Sequence, residues 1–318
     1  MKNAVKQNTG GLLAPLPIKN GVAPSRVWLP LGQWPTIGAF LFERFAHVAV
    51  ADLRQRLAQG DIVTSSGQPV CEHHPYQANQ WLWYYRAVPN EVPVPFEMPI
   101  LYADEHLIAV DKPHFLASTP GGQYLTQTAL VRVRQHFNEA QITPLHRLDR
   151  ETAGVLLFCR APSLRGTYQR LFQEQKIYKQ YEAIAATHPT WQFPLCYQSR
   201  LLAPKGQFLM QEVEGSPNSQ TQIAIAQSWY DEQIGPLSQY ILHPITGRKH
   251  QLRMHLLGMG IPILNDSYYP AGQAFLAADD FSRPLQLLAR SIAFIDPVSQ
   301  KQRQFCSQQR LRYLPESA

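Results

Sequence analysis

Cysteine is scarce in this chain of 318 residues: four in all, with no Cys-x-x-Cys pair. Neither a zinc site nor a disulfide framework is therefore indicated, and a reducing, cytoplasmic setting is the expectation. Cys71, Cys159, Cys196 and Cys306 lie far apart. Cys159 and Cys196 have apolar sequence neighbours and are expected to fill core space. Long apolar runs are also missing. No stretch approaches the roughly 20 residues that span a bilayer, and the first twenty lack the apolar core of a secretory signal, so a soluble protein without membrane association is expected. There is no internal repeat and no low-complexity tract, which sets solenoids and disordered chains aside. Charged residues make up only 16% and hydrophobic ones 45%, an ordinary globular composition.

The charge that is present leans one way. The formal net charge is +6, the isoelectric point is near 9.1, and Arg outnumbers Lys. Arginine forks onto phosphate and stacks on bases, so this balance suits a nucleic-acid partner.

Along the chain, residues 1–25 mix Asn, Gly, Pro and Lys without periodicity and read as a flexible extension. Residues 26–88 form a small domain. Phe40, Leu41, Phe45, Val48, Leu53 and Leu57 have helical spacing, Gly60 is a stop, and Ile62-Val63 begins a strand. Residues 89–99 are rich in Val and Pro and read as an extended linker. Residues 100–312 form one α+β domain. Strands are predicted at 100–102, 107–110, 154–159 and 178–186. Helices are predicted at 128–137, 163–175 and 247–258, the last capped by Thr246.

Three segments carry chemistry. In PLHRLDRETAGVLLFCR, 144–160, the polar cluster His146, Arg147, Asp149, Arg150 and Glu151 runs directly into an apolar strand. Charges beside a core strand incur desolvation cost, so they pair with one another or serve a site at its edge. The segment HPITGRKHQLRMHLLGMGIPILND, 243–266, reads as a helix from Gly247, with Leu252, Leu256 and Met259 on one face. Arg248, Lys249 and His250 would then occupy a first turn whose free N–H groups favour an anion such as phosphate. Arg253, one turn after His250, is positioned to reach a carboxylate. In KIYKQYEAIA, 176–185, alternation puts Tyr181, Ala183 and Ala185 on one side of a strand.

HRLDRETAGVLLF, KQYEA, and TGRKHQLRMHL with GIPILND resemble, in order, the signature motifs of the RluA-type pseudouridine synthase family. ILYADEHLIAVDKP, 100–113, is similar to the family's strand–turn–strand opener, and residues 36–86 resemble a degenerate S4-type RNA-binding module. The sequence departs from the family pattern at Ala153, Lys249 and Asn265. The resemblance implies a pseudouridine synthase fold, an α+β domain on a central mixed, mostly antiparallel sheet, plus a small N-terminal S4-like domain. It also implies isomerisation of uridine in structured RNA, 23S ribosomal RNA first and transfer RNA second, by a monomer needing no cofactor or metal.

By position, Asp149 is the implied catalytic aspartate, Tyr181 the active-site tyrosine and Arg253 the basic partner of the aspartate. The chemistry fits these residue types. Breaking N1–C1′, turning the uracil and rejoining it through C5 needs an ionised carboxylate in a site that traps the base. A paired guanidinium favours the anionic form of a carboxylate. The base must leave the stack, at a cost of a few kcal/mol, and Arg147 is implied to fill the vacancy. His146 supports the loop, Leu252 supplies an apolar floor, and Arg248, Lys249 and His250 complete the RNA-contacting set.

Three alternatives carry different marks. A glycosidase would present Asp149 and Glu151 together to a sugar. A metalloenzyme would gather His243, His250 and His255, although 250 and 255 lack the i, i+4 spacing of a zinc pair. A non-catalytic RNA-binding protein on the same fold would have replaced Asp149, Tyr181 or Arg253.

Overall fold

The structure is a computed structural model that describes residues 8–9, 12–87, 91–272, 277 and 280–315. The expected flexible extension and linker therefore fall partly outside the described residues, at 1–7, 10–11 and 89–90, as does residue 88 of the expected small domain. The chain divides into two compact units. One comprises residues 1–91, 120–126 and 131–141; the other comprises 92–119, 127–130 and 142–318.

In the first unit, β1 (Asn8–Thr9) pairs with β2 (Leu12–Leu13), and Val22 is buried with Leu125 and Val131. Strand β3 (Ser25–Leu29) is followed by helices α1 (Ile37–Arg44) and α2 (Val50–Ala58), then by β4 (Ile62–Thr64) and β5 (Gln80–Tyr84). Thr36 caps α1 by accepting from the Ala39 N–H at 3.1 Å, as a β-region N-cap threonine does. The sheet order is β3-β5-β4. Val27, Leu29, Ile62 and Leu82 bury with Ile37, Phe40, Leu41 and Leu57; the last three are among the positions whose spacing marked the helices. Alternation along β3 and β5 sends Arg26, Trp28 and Trp81 to the other face.

The second unit contains β6 (Ile100–Ala103), β7 (Leu107–Lys112), β8 (Thr143–Pro144), β9 (Ala153–Cys159), α4 (Arg165–Gln173), β10 (Tyr178–Ala186), β11 (Leu195–Leu202), β12 (Gln211–Val213), β13 (Ser219–Asp231), β14 (Gly235–Pro244), α5 (Gln251–Gly258), β15 (Leu287–Ile295) and β16 (Gln302–Cys306). The remaining helix, α3 (Ala129–Phe137), starts in this unit and belongs to the first from Val131 onward. Among the described residues the strands form one eleven-stranded sheet, ordered β12-β11-β13-β14-β10-β15-β9-β7-β6, with β16 on β15 and β8 on β9. Its ladders are antiparallel except β15 with β9, so this is an α+β fold on a mixed, mostly antiparallel sheet. Strand β9 is buried along its whole length, which explains its unbroken apolar text.

Two local features aim the site. At the β9–β15 junction Gly154 has φ +113°, and a Cβ there would collide with the Ala289 carbonyl. Gly154→Ala should therefore cost roughly 1–3 kcal/mol or more, read as a lowered urea midpoint. Next to it, the β10–β15 ladder shifts register between Gln180 and Tyr181. A bulge of this kind re-aims the neighbouring side chain, and here that side chain is Tyr181.

Two expectations are corrected. Cys196 is exposed, because β11 alternates and puts it on the outer side; Cys159 is buried as expected. Helix α5 begins at Gln251 rather than Gly247, and its N-cap is His250 rather than Thr246. His250 has φ 53°, outside the helical region. The side chain of Gln251 closes the preceding turn: its Oε1 accepts from Thr246 Oγ1 (2.7 Å) and Arg248 N (3.0 Å). Its Nε2 donates to Gln220 O and Thr221 Oγ1 at 3.0 Å each. With those bonds made, 246–250 stay a turn, and Arg248 and Lys249 stand on its exposed side instead of in a helical first turn.

Candidate active site

Asp149 lies in the loop between β8 and β9, and the loop is pinned on both sides of it. Ser118 Oγ accepts from Leu148 N (3.0 Å) and donates to Leu148 O (2.7 Å). Lys112, fully buried, donates to the carbonyls of Leu116 (2.7 Å), Pro113 (3.0 Å) and Arg150 (3.2 Å). Burial pushes the Lys112 ammonium down to about 7, while three carbonyl acceptors match the three N–H bonds of its charged form. His114 Nδ1 bonds the Glu151 carbonyl at 2.6 Å. His146 accepts from Leu157 N (3.1 Å) and stacks on Phe172 with centroids 5.1 Å apart. Burial pushes His146 down to about 3, so it stays neutral and supports the loop.

The Asp149 carboxylate is 23% exposed and sits between two nitrogens. Arg253 Nη1 is 3.8 Å from Oδ2, and His250 Nε2 is 3.8 Å from Oδ1. Both separations exceed a hydrogen bond. Arg253 is held mainly by other carboxylates. Its Nε donates to Asp266 Oδ2 (2.7 Å), and its Nη2 donates to Asp266 Oδ1 and to Glu151 Oε2 (2.9 Å). Tyr268 and Tyr269 lie under the guanidinium at 4.4 and 5.4 Å. Burial works against its charge, but Asp266 first, then Glu151 and Asp149, hold Arg253 above its ordinary range. Its buried Nη1 has no hydrogen-bond partner among the described residues, which leaves that edge of the guanidinium to Asp149. Arg253 and Asp149 do meet as an ion pair, but Asp266 and Glu151 fix the guanidinium, and Asp149 meets its remaining edge.

These groups open onto a cleft of about 600 Å³ lined by, among others, Arg147, Asp149, Lys179, Tyr181, Arg248 and Leu252. Its volume is that of a small-molecule pocket. The Tyr181 hydroxyl has no hydrogen-bond partner among the described residues. Burial, then the charge of Asp149, raise its proton affinity above the ordinary tyrosine range. Leu252 is buried with Leu256, Met259 and Tyr240 and gives the cleft an apolar wall. Arg147 is exposed at the mouth. Lys249 donates to the Phe208 carbonyl and lies 3.8 Å from that ring. Arg248 donates to Asn218 O at 3.1 Å. His250, only 4% exposed, is brought to the carboxylate instead of the RNA-facing surface where the sequence put it.

The alternatives meet this geometry poorly. Glu151 is committed to Arg253 and Ser267 and is buried, so it is not offered to a sugar. His243, His250 and His255 have separate partners: Tyr178, Tyr269, and the Ser219–Thr221 pair. Sequence reasoning missed Lys112, Ser118, Asp266 and Tyr269. Lys112 and Asp266 ended quoted motifs, the one signal available, but spacing did not reveal what they bind.

Residues 106–257 match the family described as RNA pseudouridylate synthase. An uncharacterized RNA pseudouridine synthase of Synechocystis sp. is 30% identical over 240 residues, spanning 73% of this chain and 79% of its own. The dual-specificity RNA pseudouridine synthase RluA of Salmonella typhi is 32% identical over 206 residues, 62% of this chain and 87% of its own. The Escherichia coli enzyme of that name is 32% identical over 183 residues, 55% and 78% of the two chains. Among solved structures, human RNA pseudouridylate synthase domain containing 1 superposes with a TM-score of 0.51 at 21% identity, over 67% of this chain and 84% of that one. Fold and motifs together define an RNA-modifying isomerase. The chain belongs to the RluA-type RNA pseudouridine synthase family, whose members convert uridine to pseudouridine in RNA.

Proposed function

We propose that this chain isomerises specific uridines in structured RNA, large-subunit (23S) ribosomal RNA first and transfer RNA second, with Asp149 as the essential carboxylate. The observation that carries the reading is the carboxylate itself. It is partly exposed at the floor of a nucleotide-sized cleft, faced by a buried guanidinium edge, with an unpartnered tyrosine hydroxyl in the same cleft. Tyr181 offers the uracil a flat face, Leu252 an apolar wall, and Arg147 a cation at the mouth to fill the gap that the flipped base leaves in the stack. The enzyme acts as a cytoplasmic monomer without a cofactor. Two relatives are named dual-specificity enzymes, so ribosomal and transfer RNA both belong in the test. Pseudouridine mapping of total RNA from cells with and without the gene should show sites lost from 23S RNA. Unchanged maps of both RNAs would remove the reading.

The N-terminal unit is read as the RNA-binding module. A cleft of about 400 Å³ on it is lined by Arg26, Trp28, Arg44, Phe45, Trp81 and Tyr84. Trp28 is 40% exposed, its ring centroid is 5.0 Å from that of Trp81, and the Arg26 guanidinium lies 4.2 Å over Trp81. Aromatic faces interleaved with arginine bind single-stranded bases by stacking. Trp28→Ala should weaken RNA binding by about 1–3 kcal/mol, read by filter binding together with reduced quenching of tryptophan fluorescence by RNA. An unchanged Kd would take this face out of the RNA surface.

A further inference from the structure

One side of Asp149 is set by a chain of buried bonds that runs through His250, Tyr269 and Met210. Tyr269, 2% exposed, accepts the Met210 N–H at its hydroxyl oxygen, 2.8 Å away. The same hydroxyl lies 2.6 Å from His250 Nδ1. A buried O–H needs an acceptor, and among the described residues His250 Nδ1 is the one within reach. Tyr269 therefore donates to Nδ1. A neutral imidazole that accepts at Nδ1 carries its proton on Nε2, and Nε2 is the atom that faces Asp149 Oδ1.

The imidazole is neutral because burial, the first cause, pushes it down to about 4. The charges that face it are Asp149 and Asp266 on one sign and Arg253 and Lys249 on the other. Phe208, Tyr268 and Tyr269 enclose the ring, with centroids 5.2 to 5.7 Å away. The backbone supports the assignment. His250 holds φ 53°, a conformation that side-chain-bearing residues keep only where their surroundings fix it. Here Gln251 closes the turn before it and Tyr269 holds its ring.

We infer that His250 is a positioning residue for Asp149: a neutral Nε2–H donor, its tautomer set by Tyr269 and Met210, that orients one carboxylate oxygen while Arg253 Nη1 addresses the other. The inference rests on the reading of Asp149 as the essential carboxylate. It gives the site two donors with different properties, one a fixed charge and one a dipole. The two 3.8 Å gaps leave the carboxylate free to close onto both donors or to turn one oxygen to the substrate.

The test uses the full chain and two kinds of readout. In protein labelled with ¹⁵N-histidine, the His250 imidazole should show a protonated Nε2 and a bare Nδ1 at neutral pH. Tyr269→Phe, which removes the hydroxyl but keeps the ring, should weaken that preference. His250→Leu should lower kcat on an RNA substrate about tenfold or more with KM changed less than about twofold, and His250→Gln, which restores an N–H at similar reach, should recover most of the loss. A protonated Nδ1 or an imidazolium at neutral pH would overturn the inference. So would Leu and Gln variants equally impaired, or impaired through KM, because that is the pattern of lost packing. Asp149→Ala is run alongside. If it stays active, the reading of Asp149 fails, whereas the tautomer result still reports on His250 by itself.

Discussion

Asp149→Ala should lower pseudouridine formation by about ten-thousand-fold or more, the size of loss seen when an essential catalytic carboxylate is removed, while RNA binding survives. Release of tritium from RNA carrying 5-³H-uridine measures the first, and filter binding of the same RNA the second. The physical case starts from the loop. Ser118, Lys112 and His114 hold its backbone at Leu148, Arg150 and Glu151, so shortening the side chain between them leaves the scaffold intact. The carboxylate is also partly exposed, so its loss leaves no sealed cavity. Turnover near the wild-type rate would sink the assignment of Asp149 as the essential carboxylate.

Arg253→Met should cost about 3–5 kcal/mol of stability, because it strips the cation from two buried carboxylates. Asp266 and Glu151 are 5% and 6% exposed, and Arg253 is 1% exposed. Asp266 keeps the backbone N–H groups of Tyr268 and Tyr269 (2.8 and 3.0 Å), and Glu151 keeps Ser267. Those bonds soften the loss without replacing a bidentate guanidinium. Urea unfolding should show a lower midpoint at an unchanged slope. A triple variant, Arg253→Met with Asp266→Asn and Glu151→Gln, should recover part of the lost stability and none of the activity, since stability needs the charges balanced while Asp149 needs the cation. A destabilisation of the single variant no larger than that of an exposed salt bridge, about 1 kcal/mol or less, would mean the cluster is not a closed network.

Much of the architecture was legible because it depends on local periodicity. The helices over Ile37–Arg44 and Val50–Ala58, the buried strand Ala153–Cys159 and the strand Tyr178–Ala186 follow from apolar spacing and stop residues. The start of the helix at Gln251 was not legible. Thr246 and Gly247 look like a cap and a first turn, but the competing bonds come from Gln220 and Thr221, some thirty positions away. Cys196 was misread for a related reason: apolar neighbours in sequence do not say which face of a strand is covered.

The site divides along the same line. Asp149, Tyr181 and Arg253 were named from ordered motifs, and the sequence by itself determined the family and the reaction class. Only the tertiary structure decided how those residues are held. Arg253 is positioned first by Asp266 and Glu151, Lys112 locks the loop that carries Asp149, and His250 turns inward to Asp149. Motif order along a chain records which groups a reaction uses. The pairing of buried charges depends instead on which carboxylates and carbonyls the sheet brings within three or four ångströms of each other, a distance that sequence separation does not encode.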